Sequence, residues 1–456
     1  MEHFGHHFIA VFGGSVAGSE AAFQLSKRGF RVVVFDQNAL PYGKIEDGLP
    51  KWHAKLRDKE ERLIDTKLDQ PNIRFVPGVR LGRDIDFEDL VKHWGFSAVL
   101  IAVGAWKDRK LTIPEPEKWL NKGLIYQNPF MYWFNHKHEP GYTGPRYEVK
   151  DNALIVGGGL ASLDVVKVIM LETVQEALLK KGIEEDMFTL ERGIERVLDK
   201  HQLTLKDLGL KGCTLIYRRG AKDMPLTNLV KDTPEKIKKA EATTEKILNN
   251  FRSKYLFNFI PNHMVYDVLR GDSGEFSGLK CYKTKIVDGR VVPVEEATID
   301  IPGSMVVSSI GSVPEKIPGI PNTGSVYKMA DEVSCRIDGF ENVFAIGNAV
   351  TGRGNIKESL QHGKSTTVEV MEQHFHWEEK DFEDWLRGTE SNVEEQVESI
   401  ATQINRKKYM SDEVIQSILD KTTEFQLKAG YKGKYRDWIT AKLPIRLEQM
   451  LQKDHG

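Results

Sequence analysis

The sequence predicts an α/β chain made of two doubly wound units, the first of them completed by a later segment, with a helical extension at the C-terminal end. Three observations predict it. Apolar runs at 8–12 (FIAVF) and 31–36 (RVVVFD) enclose a glycine-rich turn and a helical stretch, 17–28 (AGSEAAFQLSKR). The same order recurs from 153–156 (ALIV) through GGGLASLDVVKVIML to 213–217 (CTLIY). A chain of 456 residues is also too long for one ordinary core, whereas two or three domains suit it.

The first turn, Gly13-Gly14-Ser15-Val16-Ala17-Gly18, fits the GxGxxG frame with Ser15 in place of the middle glycine. Gly13 permits the sharp bend and Gly18 lets the helix pack closely on the sheet. The helix N-terminus, at Val16 and Ala17, offers free amides and a positive dipole end to a pyrophosphate. Asp36 ends the second strand, where a carboxylate accepts hydrogen bonds from ribose hydroxyls and disfavours a 2′-phosphate. Together these features describe a Rossmann-like dinucleotide-binding domain for an unphosphorylated adenosine diphosphate moiety, as in FAD or NAD.

Between the two units, 126–146 (YQNPFMYWFNHKHEPGYTGPR) reads as an interdomain connection because proline, glycine and aromatic residues crowd it. The second turn, Gly157-Gly158-Gly159-Leu160-Ala161-Ser162, repeats the frame with Ser162 replacing the last glycine. Here the following strand ends in Tyr217-Arg218-Arg219-Gly220, so two guanidinium groups stand where the first unit has an acid. Arginine donates planar, charge-assisted hydrogen bonds that suit a 2′-phosphate. One site therefore rejects that group and the other invites it.

The longer second crossover predicts an inserted helical pair over roughly 175–210. Residues 232–254 predict a helix capped by Asp232 or Thr233, with Pro234 in its first turn and Ile237, Ala240, Thr244, Ile247 and Phe251 on one face. Its outer face is basic, carrying Lys236, Lys238, Lys239, Lys246, Arg252 and Lys254. From about 376 the chain reads as helical and highly charged, with Ser391 and Glu394 as a capping box ahead of Val393, Val397, Ile400 and Ile404.

The 64 Lys plus Arg nearly balance the 66 Asp plus Glu, a net charge of -2 that offers no general attraction to nucleic acid or anionic membrane. No stretch reaches the roughly 18 apolar residues of a membrane span. Cys213, Cys281 and Cys335 are too far apart in sequence for a CxxC redox pair, a zinc site or an iron–sulfur loop. His3, His6, His7, His374 and His376 lack acidic or cysteine partners at ligand spacing, so no metal is expected. Lone cysteines, and an apolar strand that starts almost at once, are expected of a cytoplasmic protein.

Acid-ended first and arginine-ended second, the paired units resemble the two-dinucleotide-binding-domain flavoproteins. Residues 98–105 (AVLIAVGA), with Gly104, are similar to that family's A-T-G-A segment, and 305–311 (MVVSSIG) looks like its second counterpart. Residues 342–352 (NVFAIGNAVTG) resemble its strand followed by Gly-Asp, with Asn348 after Gly347 where the family has aspartate. Within that superfamily the likeness is to adrenodoxin reductase and the NADPH-oxidising small subunit of glutamate synthase. Phe130–Asn135 and Ser162–Val165 resemble the former, and Tyr217-Arg218-Arg219 with Met224-Pro225 the latter. The likeness covers about residues 8–370, and the cysteines that hold clusters in the glutamate synthase subunit are absent.

The resemblance implies an FAD- and NADPH-dependent oxidoreductase in which hydride passes between NADPH and FAD and electrons go on to a protein carrier such as a ferredoxin. It places FAD on Gly13, Ser15, Val16, Ala17, Gly18, Asp36, Gly104, Gly347, Asn348 and the helix start at Gly354, Asn355 and Ile356. NADPH falls on Gly157, Gly159, Leu160, Ala161, Ser162, Arg218 and Arg219. His53, in Gly48–His53, is similar to a histidine near the flavin and is either a proton shuttle or a packed side chain. The implied domains are FAD-binding at 1–108 and 321–375, NADPH-binding with its helical insertion at 109–320, and the helical extension at 376–456. Two other readings are an electron-input flavoprotein subunit of a larger oxidoreductase complex, docking through the C-terminal helices, and a redox-silent FAD-binding scaffold.

Overall fold

The computed structural model describes residues 4–227, 233–331, 334–350 and 379–454. The expected α/β architecture is the one observed: two five-stranded parallel sheets, each carrying helices. In the first, strands run in the order Val343–Ala345, Ala98–Ile101, Phe8–Phe12, Arg31–Asp36, Ile73–Pro77. Phe8–Phe12 is central, paired with Arg31–Asp36 on one side and Ala98–Ile101 on the other. All five of its residues are buried, which is why it reads as a continuous apolar run and not an alternating one. The second sheet runs Leu124–Tyr126, Val306–Ser309, Ala153–Gly157, Cys213–Ile216, Phe257–Ile260.

The segment 126–146 is not a plain connection. Leu124–Tyr126 is an edge strand of the second sheet, and Gln127–His136 is a helix that buries Phe130, Met131, Trp133 and Phe134 in that sheet's core. Pro129 did not break it, because proline in the first helical turn removes an amide that has no intrahelical partner. A three-stranded antiparallel sheet, His263–Arg270, Phe276–Val287 and Arg290–Pro302, is also present. Its long hairpin turns at Asp288 and Gly289, both at positive φ, the Asp-Gly pairing that matches strand twist.

The inserted helices are Met187–Arg192 and Ile194–Lys200, after a helix, Leu160–Lys180, that extends further than the sequence suggests. Pro234–Lys254 is helical with Thr233 as its cap, accepting from the Lys236 amide at 3.3 Å; Asp232 lies outside the described residues. Ala240, Thr244 and Leu248 form its buried stripe, whereas Ile237 is exposed.

The C-terminal helices are not an appendage. Glu379–Ile404 is one continuous helix, so Ser391 sits in its interior and caps nothing. Its stripe of Leu386, Val393, Val397, Ile400 and Ile404 joins the core of the first sheet, as do Tyr431, Tyr435 and Trp438. Polar anchors fix the register: Gln426 Nε2 donates to the Phe75 carbonyl at 2.6 Å, and Trp438 Nε1 to the Ala39 carbonyl at 2.7 Å. No described helix is long and apolar enough to cross a membrane.

Candidate dinucleotide sites

Loop geometry at the first turn follows from which positions tolerate a side chain. Gly13 has φ +101°, and a Cβ there would lie 2.5 Å from the Ala102 carbonyl oxygen. At Gly18 a Cβ would come within 1.7 Å of the Gly13 carbonyl oxygen, so the helix Val16–Lys27 lies against its own loop. Ser15 is the N-cap, but its hydroxyl turns away and donates to the Tyr42 carbonyl at 2.8 Å. The substitution for the middle glycine thus ties the loop to the next segment and leaves the helix's first amides without a side-chain cap.

Asp36 is buried at the end of its strand, where Oδ2 accepts from the Gly14 amide at 2.7 Å and Oδ1 from the Asn38 amide at 2.8 Å. Burial raises its carboxyl to about 6 against the pull of those two amides. Each oxygen keeps a further lone pair for a ribose hydroxyl.

A cleft of about 260 Å³ opens over this loop. The sheet order gives it two ends. Phe35 to Asn38 and Val79 to Leu81 lie on the side of the second and edge strands; Gly104, Trp106, Gln127, Asn128, Met131 and Asn348 lie on the other. Gly104 and Gly347 have φ +69° and +61°, and a Cβ on Gly347 would meet that of Ala17 at 2.6 Å. Gly354, Asn355 and Ile356 lie outside the described residues. Lys44, Trp106, Asn128, Met131 and Thr389 also line the cleft and were not anticipated, since no local spacing links them.

At the second turn, a Cβ on Gly157 would lie 2.4 Å from the Ser309 carbonyl oxygen. Ser162 fits the last glycine position because its hydroxyl donates to Ser309 Oγ at 3.1 Å. Among the described residues nothing lies within 4 Å of where a Gly159 Cβ would be, and this residue caps the helix that begins at Leu160 and Ala161. Gly158 faces the ring of Tyr217, too close for any side chain. The strand itself ends at Ile216; Arg218 is exposed beyond it, and Arg219 Nη2 donates to the Gly289 carbonyl at 3.1 Å.

His53 is not among the residues lining the cleft. Burial, and secondarily the charge of Lys167, lower it to about 4, which holds the ring neutral. Its neighbour Trp52 carries the Lys167 ammonium 4.1 Å above its ring, so this corner packs on the helix Leu160–Lys180.

Beneath the cleft lies a buried charge cluster. Glu46, His136 and Glu139 present their ligand-type atoms within 4.8 Å of one another. Both nitrogens of His136 are engaged, Nδ1 with Glu139 at 2.7 Å and Nε2 with Asp47 at 3.1 Å, and Glu46 is paired with Arg446. That is the arrangement of an imidazolium between two carboxylates.

No family model matches the chain. Among curated proteins it is 23% identical over 397 residues to the NADPH-ferredoxin reductase FprA of Mycobacterium leprae, covering 80% of this chain and 83% of that one. The glutamate synthase [NADPH] small chain of Mycobacterium tuberculosis is 24% identical over 374 residues, 79% of this chain and 66% of the relative. The probable mitochondrial NADPH:adrenodoxin oxidoreductase of Schizosaccharomyces pombe is 20% identical over 357 residues, 72% and 74% of the two chains. Among solved structures, Mycobacterium tuberculosis FprA in complex with NADPH superposes with a TM-score of 0.66 at 17% identity, over 92% of this chain and 91% of that one. The resemblance read from the two loops is therefore found again over most of the chain.

Proposed function

We propose that this chain, similar to the NADPH-ferredoxin and adrenodoxin reductases, is an FAD-dependent NADPH oxidoreductase that passes electrons to a small protein carrier of the ferredoxin class. One observation carries the reading: a buried carboxylate, Asp36, stands beside the first glycine loop, and Arg218 and Arg219 stand beside the second. The FAD fit is supported by the cradle at Gly13 and Gly18, which a Cβ would fill, and by the uncapped amides at Val16 and Ala17. The NADPH fit is supported by the open approach at Gly159 and the exposed guanidinium of Arg218.

When bound, the two cofactors supply the redox chemistry, hydride exchange between nicotinamide and flavin. The chain binds and orients. Gly13, Ser15, Val16, Ala17 and Gly18 hold the FAD pyrophosphate region, Asp36 its ribose, and Gly104, Gly347 and Asn348 the far end. Gly157 and Gly159 to Ser162 hold the NADPH pyrophosphate and the arginine pair its 2′-phosphate. Residues 1–108 with 321–375 form the FAD unit and 109–320 the NADPH unit, and the helical segment 376–456 completes the core of the FAD unit's sheet. His53, neutral and packed by Trp52, is a spacer and not a proton shuttle.

The carrier docks on the basic face of Pro234–Lys254, where Lys236, Lys238, Lys239, Lys246, Arg252 and Lys254 are all exposed. The second reading, an input subunit of a larger oxidoreductase, is favoured by the likeness to the glutamate synthase small chain and predicts copurification of a second polypeptide. Cys213, Cys281 and Cys335, buried and held in no disulfide, support a cytoplasmic location. Anaerobic NADPH should bleach the yellow of the purified flavin-loaded protein; flavin that stays oxidised ends the enzyme reading.

A further inference from the structure

On the side of the cleft that carries Trp106 and Asn128, away from Asp36, stands the cation of Lys44. Lys44 opens the short helix Lys44–Asp47, immediately after Gly43, whose φ is +53°. Its Nζ reaches Asn128 Oδ1 at 3.1 Å and lies 5.5 Å from the centre of the Trp106 ring. Asn128 is itself fixed: its side-chain amide donates to the Trp106 carbonyl at 2.8 Å and to Ser312 Oγ at 2.9 Å. The Asn128 backbone amide approaches both oxygens of Asp108 at 3.3 Å. Lys44, Trp106 and Asn128 all line the cleft.

The topology says which part of a dinucleotide meets them. With the pyrophosphate over the central strand's loop and the adenosine ribose on Asp36, the other half of the molecule must extend past Gly104 toward Trp106 and Asn128. We propose that Lys44, clamped by Asn128 and backed by Asp108, is the charge that meets the flavin ring and favours its reduced, more negative form. The inference rests on the FAD reading and adds a residue to it.

Several facts support the assignment. Burial is the largest influence on Lys44 and lowers it to about 8, with Asp108 opposing, so the ammonium is poorly hydrated and its field is weakly screened. Asp108, raised to about 6 chiefly by burial, is a single countercharge reached through the Asn128 bridge and not a direct ion pair. A cation that is only partly neutralised keeps a net attraction for charge that develops beside it.

The test is the midpoint potential of the flavin-loaded protein, measured against a reference dye for the natural chain, Lys44→Met and Lys44→Arg. Loss of the cation should weaken binding of reduced relative to oxidised flavin about tenfold, which lowers the potential by about 30 mV for a two-electron couple. Lys44→Arg should restore most of it. Equal potentials in flavin-loaded natural chain and Lys44→Met overturn the Lys44 assignment while leaving the FAD reading intact. A natural chain that takes up no flavin overturns both. A purely structural role for Lys44 predicts altered unfolding with an unaltered potential, which also overturns the assignment.

Discussion

Arg446 reaches back 385 positions to donate to Glu61 at 2.8 Å, and its other terminal nitrogen pairs with Glu46; all three residues are buried. Arg446→Met leaves Glu46 without its guanidinium partner and Glu61, among the described residues, with only Arg57, at 3.9 Å. Removing one partner of a buried ion pair costs about 3–5 kcal/mol. Urea unfolding at pH 7 should show a loss of that order, most of it recovered when Glu46→Gln and Glu61→Gln are added. An unchanged midpoint in the single variant contradicts the account.

Asp36 satisfies two loop amides at once. Asp36→Ala should destabilise the protein by about 1–3 kcal/mol through those unpaired donors, and should lower the flavin content of the purified protein. Thermal unfolding and the ratio of flavin to protein absorbance check the two effects separately. Full flavin content in Asp36→Ala would remove the residue from the site.

Arg218→Ala or Arg219→Ala should weaken NADPH relative to NADH. A charge-assisted hydrogen bond contributes about 1.5–3 kcal/mol, so the preference should fall roughly ten- to a hundredfold in kcat/KM. Arg219 is steadied by the Gly289 carbonyl, so shortening the hairpin turn should reproduce part of its loss. A ratio unmoved in both variants rejects the arginine pair.

His136 sets a pH dependence. Burial draws its imidazole down, but the hydrogen bonds and charges of Asp47 and Glu139 together outweigh burial and lift it to about 9. The folded chain therefore holds this proton more tightly than the unfolded one. Its contribution is fully present below the ordinary histidine value of 6.5 and is lost as pH rises through about 9. Between pH 6 and 10 this should remove on the order of 2–3 kcal/mol, and His136→Gln should flatten the slope. Denaturant midpoints across that range decide it.

Both glycine turns, Asp36 and the arginine pair were legible because their chemistry is local: a strand, a tight bend and a helix start lie within a few residues. Lys44 was not, since the Asn128 that fixes it is 84 positions away. The aromatic helix Gln127–His136 was hidden by its own proline and the glycines that follow. The antiparallel sheet carried a readable Asp288-Gly289 turn between β-branched runs, a hairpin signal as local as the glycine turns. For the C-terminal helices the apolar stripe was visible and its destination was not, because amphipathicity tells that a face is buried and never against what.

Thr389, on the helix Glu379–Ile404, forms part of the wall of a cleft whose floor is laid down by the first forty residues. Synthesis runs from N- to C-terminus, so a ribosome that has finished both parallel sheets still displays a site lacking one side. Among the described lining residues, the part of the wall that Thr389 supplies is therefore the last of the cleft to be synthesised.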